Sequence, residues 1–444
     1  MKSRIGTWIA AISLLAALAM PVPLIAQQEQ SHKAPQLPHY TVIDLGTLGG
    51  TFSIAFGVND QGQIDGLSTT PGDQVTHGFV LENGVMTDLG TLGGPNSQAL
   101  FGPGQAAQAT GLAENGIPDP NGEDFCGLGT NLVCLGFDWQ NGVMTPLSTL
   151  GGNNAQGSDI SAQGQIAGMA ENSTPDPHCP APQVLQFRPA VWTEGKIQVL
   201  AVSPGDPEGA AFGINDRGDT VGASGTCAAY DLRYGVPLQP RHALLWRKGS
   251  AKAIDLGNLG GSINNSGFAI NQSEQVAGAS DLPGDKFQHA FVWQAGVMAD
   301  LGTLAGDVVS AAVGINNRGQ ATGVSIDAAG NLRAFLWQNG VMTDLNSLIP
   351  PDSPLYLMHG CGINSRGQIV GYALQISTGE LHAYLATPLP AEGNLASVAP
   401  AAEGEIGATS KVGLPENARK QIQTWVRIGR FATASADPQG PPSR

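Results

Sequence analysis

The chain has 444 residues, of which 61 are Gly, 30 are Pro and only 13% are charged, with a formal net charge of −15. So acidic a chain argues against nucleic acid as a partner, because that role needs a basic surface. A chain this long is ordinarily two or three domains, unless it is an array of units that pack on their neighbours.

Met1 to Ala26 reads as a secretory signal. Lys2 and Arg4 precede a largely apolar run from Ile5 to Met20, and Pro21, Pro23 and Ala26 suit a cleavage region. The apolar run is short for a membrane span, and no second long one follows. The expectation is an exported chain, secreted or periplasmic, with no span after cleavage. Residues 27–39 are polar and read as a flexible lead-in.

From Tyr40 onward the text repeats. Asp-Leu-Gly-Thr-Leu or its equivalent starts at Asp44, Asp88, Pro146, Val199, Asp255, Asp300 and Asp344, with spacings of 44, 58, 53, 56, 45 and 44 residues. Propeller blades have periods of about 40–50 residues. Each unit carries four strand signals, beginning with Phe56-Gly-Val-Asn59 in the first unit and Cys361-Gly-Ile-Asn364 in the last. A turn such as Asn59-Asp-Gln-Gly62 follows, where Asn and Gly are expected to supply positive φ and a local hydrogen bond. Gln63-Ile-Asp-Gly66 is the second strand. His77-Gly-Phe-Val80 and Val85-Met-Thr-Asp88 are the third and fourth, joined through Asn83-Gly84. Gly inside strands, as at Gly57 and Gly66, suits inner strands crowded round an axis.

The ends of the array complement each other. The last unit stops at Pro388 after its third strand, while Tyr40-Thr-Val-Ile-Asp-Leu-Gly46 is a fourth strand with no predecessors. The expected fold is all-β: one seven-bladed β-propeller over residues 40–388, of four-stranded blades, closed by the N-terminal strand. Val42 to Leu45 should lie beside His382 to Leu385. Residues 389–444 read as a mostly disordered, low-complexity tail, with a possible helix from Pro415 to Arg430.

The wording Asp-Leu-Gly-Thr-Leu-Gly-Gly, Gly-Ile-Asn-x-x-Gly-Gln and His-Ala-Phe-x-Trp resembles the HAF family of extracellular bacterial repeats. The resemblance spans Tyr40 to Pro388. Units two and three depart from it: Gly104 and Ser161 replace the turn Asn, and Leu135 and Arg188 replace the His. The resemblance implies export and a repeat fold, and carries no catalytic residue onto the chain.

His77, His242, His289 and His382 recur once per unit and read as polar groups that bond backbone, not as a metal cluster. The Asp of Asp-Leu-Gly reads the same way. Trp139, Trp192, Trp246, Trp293 and Trp337 read as packing between blades. No Asp-x-Asp-x-Asp-Gly calcium loop, His-Glu-x-x-His zinc motif or phosphate-binding Gly loop occurs, so no cofactor is expected.

Unique chemistry has to come from places where the repeat breaks. From the second-strand Gly to the His position, Gly66 to His77 takes 11 residues. Gly111 to Leu135, Gly168 to Arg188 and Gly222 to His242 take 24, 20 and 20. Three insertions of one loop class in adjacent blades should form a raised rim, and grouped insertions mark a binding face. They carry Asp119, Glu123, Asp124, Asp176, His178, Tyr230, Arg233 and Tyr234 as candidate ligand residues. They also hold Cys126, Cys134, Cys179 and Cys227. In an exported chain these suggest disulfides, with Cys126–Cys134 and Cys179–Cys227 preferred among three pairings. Cys361 replaces Phe56 at an apolar position and reads as a buried free thiol. No Lys or Arg occurs between Lys33 and Arg188, a stretch with 14 acidic residues.

The expected function is a non-catalytic, monomeric binding or surface-interaction module for an extracellular glycan or protein. The alternatives are a hydrolase or lyase acting on polysaccharide from the rim, and a structural extracellular protein. Carboxylate pairs for glycosidic or lyase chemistry cannot be picked from so many scattered Asp.

Overall fold

The computed structural model describes residues 37–104, 108–231, 236–250, 252–390, 415, 416 and 418. The segment expected to be a signal, most of the expected lead-in, and most of the tail with its expected helix lie outside them. Seven antiparallel four-stranded sheets make up the propeller. In the first blade the strands are Ser53–Val58, Ile64–Thr69, Thr76–Glu82 and Val85–Asp88. The described residues within the array hold one 3-10 turn, Leu345–Leu348, and no described helix is long and apolar enough to cross a membrane.

The last blade is completed from the other end of the chain. Tyr40–Gly46 pairs antiparallel with Leu381–Pro388, with Val42 opposite Ala386 and Ile43 opposite Leu385. The driving force is edge closure: without Tyr40–Gly46 the strand Leu381–Pro388 would present unpaired amides and carbonyls. The outer strands are short, four residues in Val85–Asp88, which limits the edge left to solvent.

Glycine permits the inner strands to approach. A Cβ on Gly57 would sit 2.1 Å from Gly102 Cα, and one on Gly66 would sit 1.9 Å from the Ile54 carbonyl. The turn asparagines play a different part from the one their sequence suggests. Gly62, Gly218, Gly319 and Gly367 take positive φ, but Asn59, Asn215, Asn316 and Asn364 do not. Each Asn instead accepts local amides through Oδ1 and donates Nδ2 to the next blade's turn. Asn215 reaches Asn271 O (3.1 Å), Asn271 reaches Asn316 O (2.9 Å), Asn316 reaches Asn364 O (2.9 Å) and Asn364 reaches Asn59 O (3.0 Å). The final bond crosses the ring closure. These side chains stitch blade to blade on one face.

The His reading also needs correction. The ring nitrogen meets a carboxylate, not backbone. His77 Nδ1 lies 2.9 Å from Asp88, His289 2.9 Å from Asp300 and His382 2.7 Å from Asp44. The Asp of Asp-Leu-Gly accepts both this contact and a backbone amide, Gly90 N to Asp88 at 2.8 Å. Arg333 reaches Asp344 in the same way, and His242 turns instead to Asp206 at 2.7 Å. In the last blade the pair is split between the chain ends. There the Asp44 hydrogen bond raises the His382 pKa.

Apolar packing has two tiers. Clusters between neighbouring blades hold the Trp side chains, as where Val80 and Ala99 meet Phe137 and Trp139. Trp192 and Trp246 also donate Nε1 to Ser148 O and Ala201 O. A further cluster takes Ile54, Leu112, Met169, Phe212, Phe268, Val313 and Met358, one from each blade. Glu416 and Ala418 are helical, and Ala418 is buried in that same cluster. Cys361 is buried and in no disulfide, with its Sγ 3.3 Å from His359 Nδ1. Burial pushes His359 down to about 3, so the imidazole stays neutral at ordinary pH.

Candidate functional site

The three insertions are extended strand pairs more than loops. Ala109–Pro118 pairs with Leu132–Gln140, Ile166–Pro175 with Leu185–Thr193, and Thr220–Asp231 with Val236–Trp246. They lie side by side and are joined to one another. Disulfides link Cys126 to Cys134 (Cα–Cα 6.2 Å) and Cys179 to Cys227 (Cα–Cα 4.9 Å). The first closes the tip of the blade 2 insertion, and the second ties the blade 3 insertion to that of blade 4. Phe125 meets Phe187 of the next blade edge to face, with centroids 6.1 Å apart.

The acidic residues face inward. Asp119, Glu123 and Asp176 are buried. Glu123 Oε1 accepts Val184 N and Leu185 N, both at 2.7 Å, and so clamps the blade 3 insertion to that of blade 2. Asp119 accepts Asn121 N (2.8 Å), Glu123 N (3.0 Å) and Asn154 Nδ2 (2.9 Å). Asp124 is half-buried, accepts Gly129 N at 2.9 Å, and is raised in pKa by burial. The expectation that these carboxylates project toward a ligand is therefore corrected for Asp119, Glu123 and Asp176. A buried donor or acceptor without a partner is costly, and here Asp119 and Asp176 accept backbone amides of their own insertions while Glu123 accepts those of the next blade. His178 is exposed, its Nδ1 3.1 Å from Asp176. Arg233, Tyr234 and the side chain of Tyr230 lie outside the described residues.

Sequence reasoning missed the residues beneath this layer. Glu114 and Glu171 stand three places after the second-strand Gly, as Asp281 does in blade 5. Each meets an Asn in or just before the first strand of its own blade: Asn96 to Glu114 at 2.8 Å, Asn154 to Glu171 at 3.0 Å and Asn264 to Asp281 at 2.9 Å. The constant offset was a usable signal. One amide, Gln183 Nε2, bridges Glu123 (3.1 Å) and Glu171 (2.8 Å). Burial, with Glu123 adding to it, raises the Glu171 pKa. In blade 4 the acid has moved: Glu208 takes the Asn position and Gly225 the acid position. Glu208 Oε2 accepts Phe187 N at 2.6 Å, and burial pushes its carboxyl up to about 8.

No protein-family model and no curated protein matches the chain. Solved propellers do. An oligogalacturonate lyase in complex with manganese aligns at TM-score 0.47 and 11% identity, covering 79% of this chain and 93% of the lyase. A puromycin-hydrolyzing peptidase of Mycobacterium tuberculosis aligns at TM-score 0.43 and 14% identity, covering 78% of this chain. This chain spans 56% of that peptidase's length. The β-propeller domain of the trilobed protease from Pyrococcus furiosus aligns at TM-score 0.38 and 10% identity, covering 66% of this chain and 81% of the domain. At such identities the likeness concerns fold alone.

A second buried acid breaks the repeat near the inner strands. Asp65 is fully buried, with Oδ2 accepting Gly102 N at 3.2 Å and Oδ1 without a partner. Burial, opposed by the Gly102 amide and reinforced by the Asp159 charge, pushes Asp65 up to about 7. A carboxyl whose folded pKa exceeds its ordinary value of about 3.9 favours the folded state most when protonated. That stability is full below about pH 4, falls as pH rises toward 7, and stays lost above it. Asp65→Asn keeps an acceptor for Gly102 and removes the charge. Urea unfolding at pH 5 and pH 8 should show wild type losing about 2–3 kcal/mol more than the variant across that interval. Parallel losses in both would reject the assignment.

Proposed function

We propose that this chain is an exported, non-catalytic binding module whose ligand meets the ridge built by blades 2, 3 and 4. The observation that carries the reading is the inward turn of Asp119, Glu123 and Asp176, which leaves the described crest of blades 2 and 3 largely uncharged. Ile117, Pro118, Pro120, Asn121, Ser173, Thr174, Pro175, Pro177 and His178 are exposed there. Such a surface suits a neutral extracellular glycan, whose hydroxyls meet amides and hydroxyl groups while its ring faces meet Ile and Pro. It offers little to a basic peptide. The disulfides and buried clamps hold the crest in one shape, which lowers the ordering cost of binding.

Export is supported by the N-terminal segment, by the disulfide pairs and by the resemblance to HAF repeats. A hydrolase or lyase needs an accessible acid–base pair. Asp65, Glu171 and Glu208, all raised in pKa, are fully buried.

The test is a panel of neutral and acidic glycans, with basic and proline-rich peptides as comparators. Trimming residues 112–133, 169–187 and 223–241 to the 11-residue spacing of the first blade should leave a folded ring that has lost at least tenfold in affinity. Full affinity in the trimmed, folded protein would move the site off the ridge. Preference for the basic peptides would reject the glycan assignment.

A further inference from the structure

Between blades 3 and 4 two buried carboxyl groups, Asp176 and Glu208, approach within 4.8 Å. Asp176 Oδ1 is engaged by His178 N at 2.8 Å and by His178 Nδ1 at 3.1 Å. Glu208 Oε2 is engaged by Phe187 N. The other two oxygens, Asp176 Oδ2 and Glu208 Oε1, receive no donor from any other residue, and the one hydrogen bond open to them is a proton shared within the pair. Asp176 is 6% exposed and Glu208 0%. Ligand atoms of Asp176, Glu208 and Cys179 all lie within 4.8 Å of one another. Cys179 is committed to its disulfide with Cys227, so its sulfur is no thiolate.

Two buried carboxylates this close are costly unless a proton or a cation sits between them. Calcium binds oxygen at 2.3–2.6 Å, so one ion can touch two oxygens as far apart as the limit found here. Magnesium, at 2.0–2.1 Å, needs them closer and gives up water reluctantly. With the disulfide formed the donor set is oxygen only, which disfavours zinc and copper.

We propose that Asp176 and Glu208 form a calcium site that clasps the blade 3 insertion to the first strand of blade 4. The ion would act in parallel with Cys179–Cys227, one bridge ionic and the other covalent. Water would complete its shell. The site does not depend on what the crest binds.

The test uses the intact chain under non-reducing conditions, with calcium chloride or with EDTA. Calorimetric titration should give one calcium per wild-type chain, and saturating calcium should raise Tm by about 5 °C. Glu208→Gln and Asp176→Asn, both close in shape to the native residues, should abolish that binding event and the calcium-dependent shift. Wild type that binds no calcium, with Glu208→Gln melting higher than wild type in both buffers, would mean a shared proton and overturn the proposal. Calcium binding unchanged in both variants would place the ion elsewhere and overturn it equally. Fluorescence spectra matching wild type show that each variant has folded.

Discussion

Deleting Tyr40–Gly46 removes the cooperative thermal transition of the whole propeller, not just the stability of one blade. The segment forms six register pairs with Leu381–Pro388, and Tyr40 is 1% exposed. It also supplies Asp44 to His382 at 2.7 Å. Each net backbone hydrogen bond contributes about 1 kcal/mol and burying Tyr40 about 2 kcal/mol. The total, about 8 kcal/mol, is of the size of a domain's entire stability of about 5–15 kcal/mol. The deletion also bares Leu381–Pro388 as an edge on which other chains can pair. Calorimetry and near-ultraviolet circular dichroism should show a broad, low-temperature loss of structure with aggregation. A synthetic peptide of residues 40–46 should restore part of the transition. A truncated chain that melts sharply at the wild-type temperature would show that the ring is held by other means.

Replacing Cys179 and Cys227 by Ser lowers stability by about 4 kcal/mol, the chain-entropy value for a cross-link spanning their 48-residue separation. Cys126–Cys134, with a separation of 8, should contribute about 2.5 kcal/mol on the same basis. The larger effect also falls on the ridge. Cys179–Cys227 joins the blade 3 insertion to its neighbour, and Asp176 lies three residues from Cys179. Freed of the tie, the two insertions separate, and glycan affinity should fall with stability. Non-reducing peptide mapping, chemical denaturation and glycan binding on one preparation check all three. An oxidised pair whose removal alters neither stability nor binding would show that the ridge does not depend on this cross-link.

The sequence by itself determined the number of blades, the four strands in each and the closure. Those follow from local rules: turn residues fix hairpins, strand alternation fixes faces, and a surplus strand must find the edge that lacks one. The surplus strand at Tyr40 and the missing one after Pro388 left a single sensible pairing. It also marked where the repeat breaks and which Cys belong together in space, because equivalent loops of adjacent blades emerge side by side. Tertiary structure alone decided which way the polar groups point. Asp119, Glu123 and Asp176 resemble surface acids in composition, yet all three are buried, and Asp119 and Glu123 accept amides from another blade, 62 residues away in the case of Glu123 and Leu185. The turn Asn residues bond the next blade's carbonyl, and the repeated His meets an Asp two strands' length further on. The blade-to-blade partners lie a whole unit apart and leave no mark in local periodicity, whereas the His–Asp offset of 11 residues recurs at His77 and Asp88 and at His289 and Asp300. The facing oxygens of Asp176 and Glu208 exist only because two blades pack together.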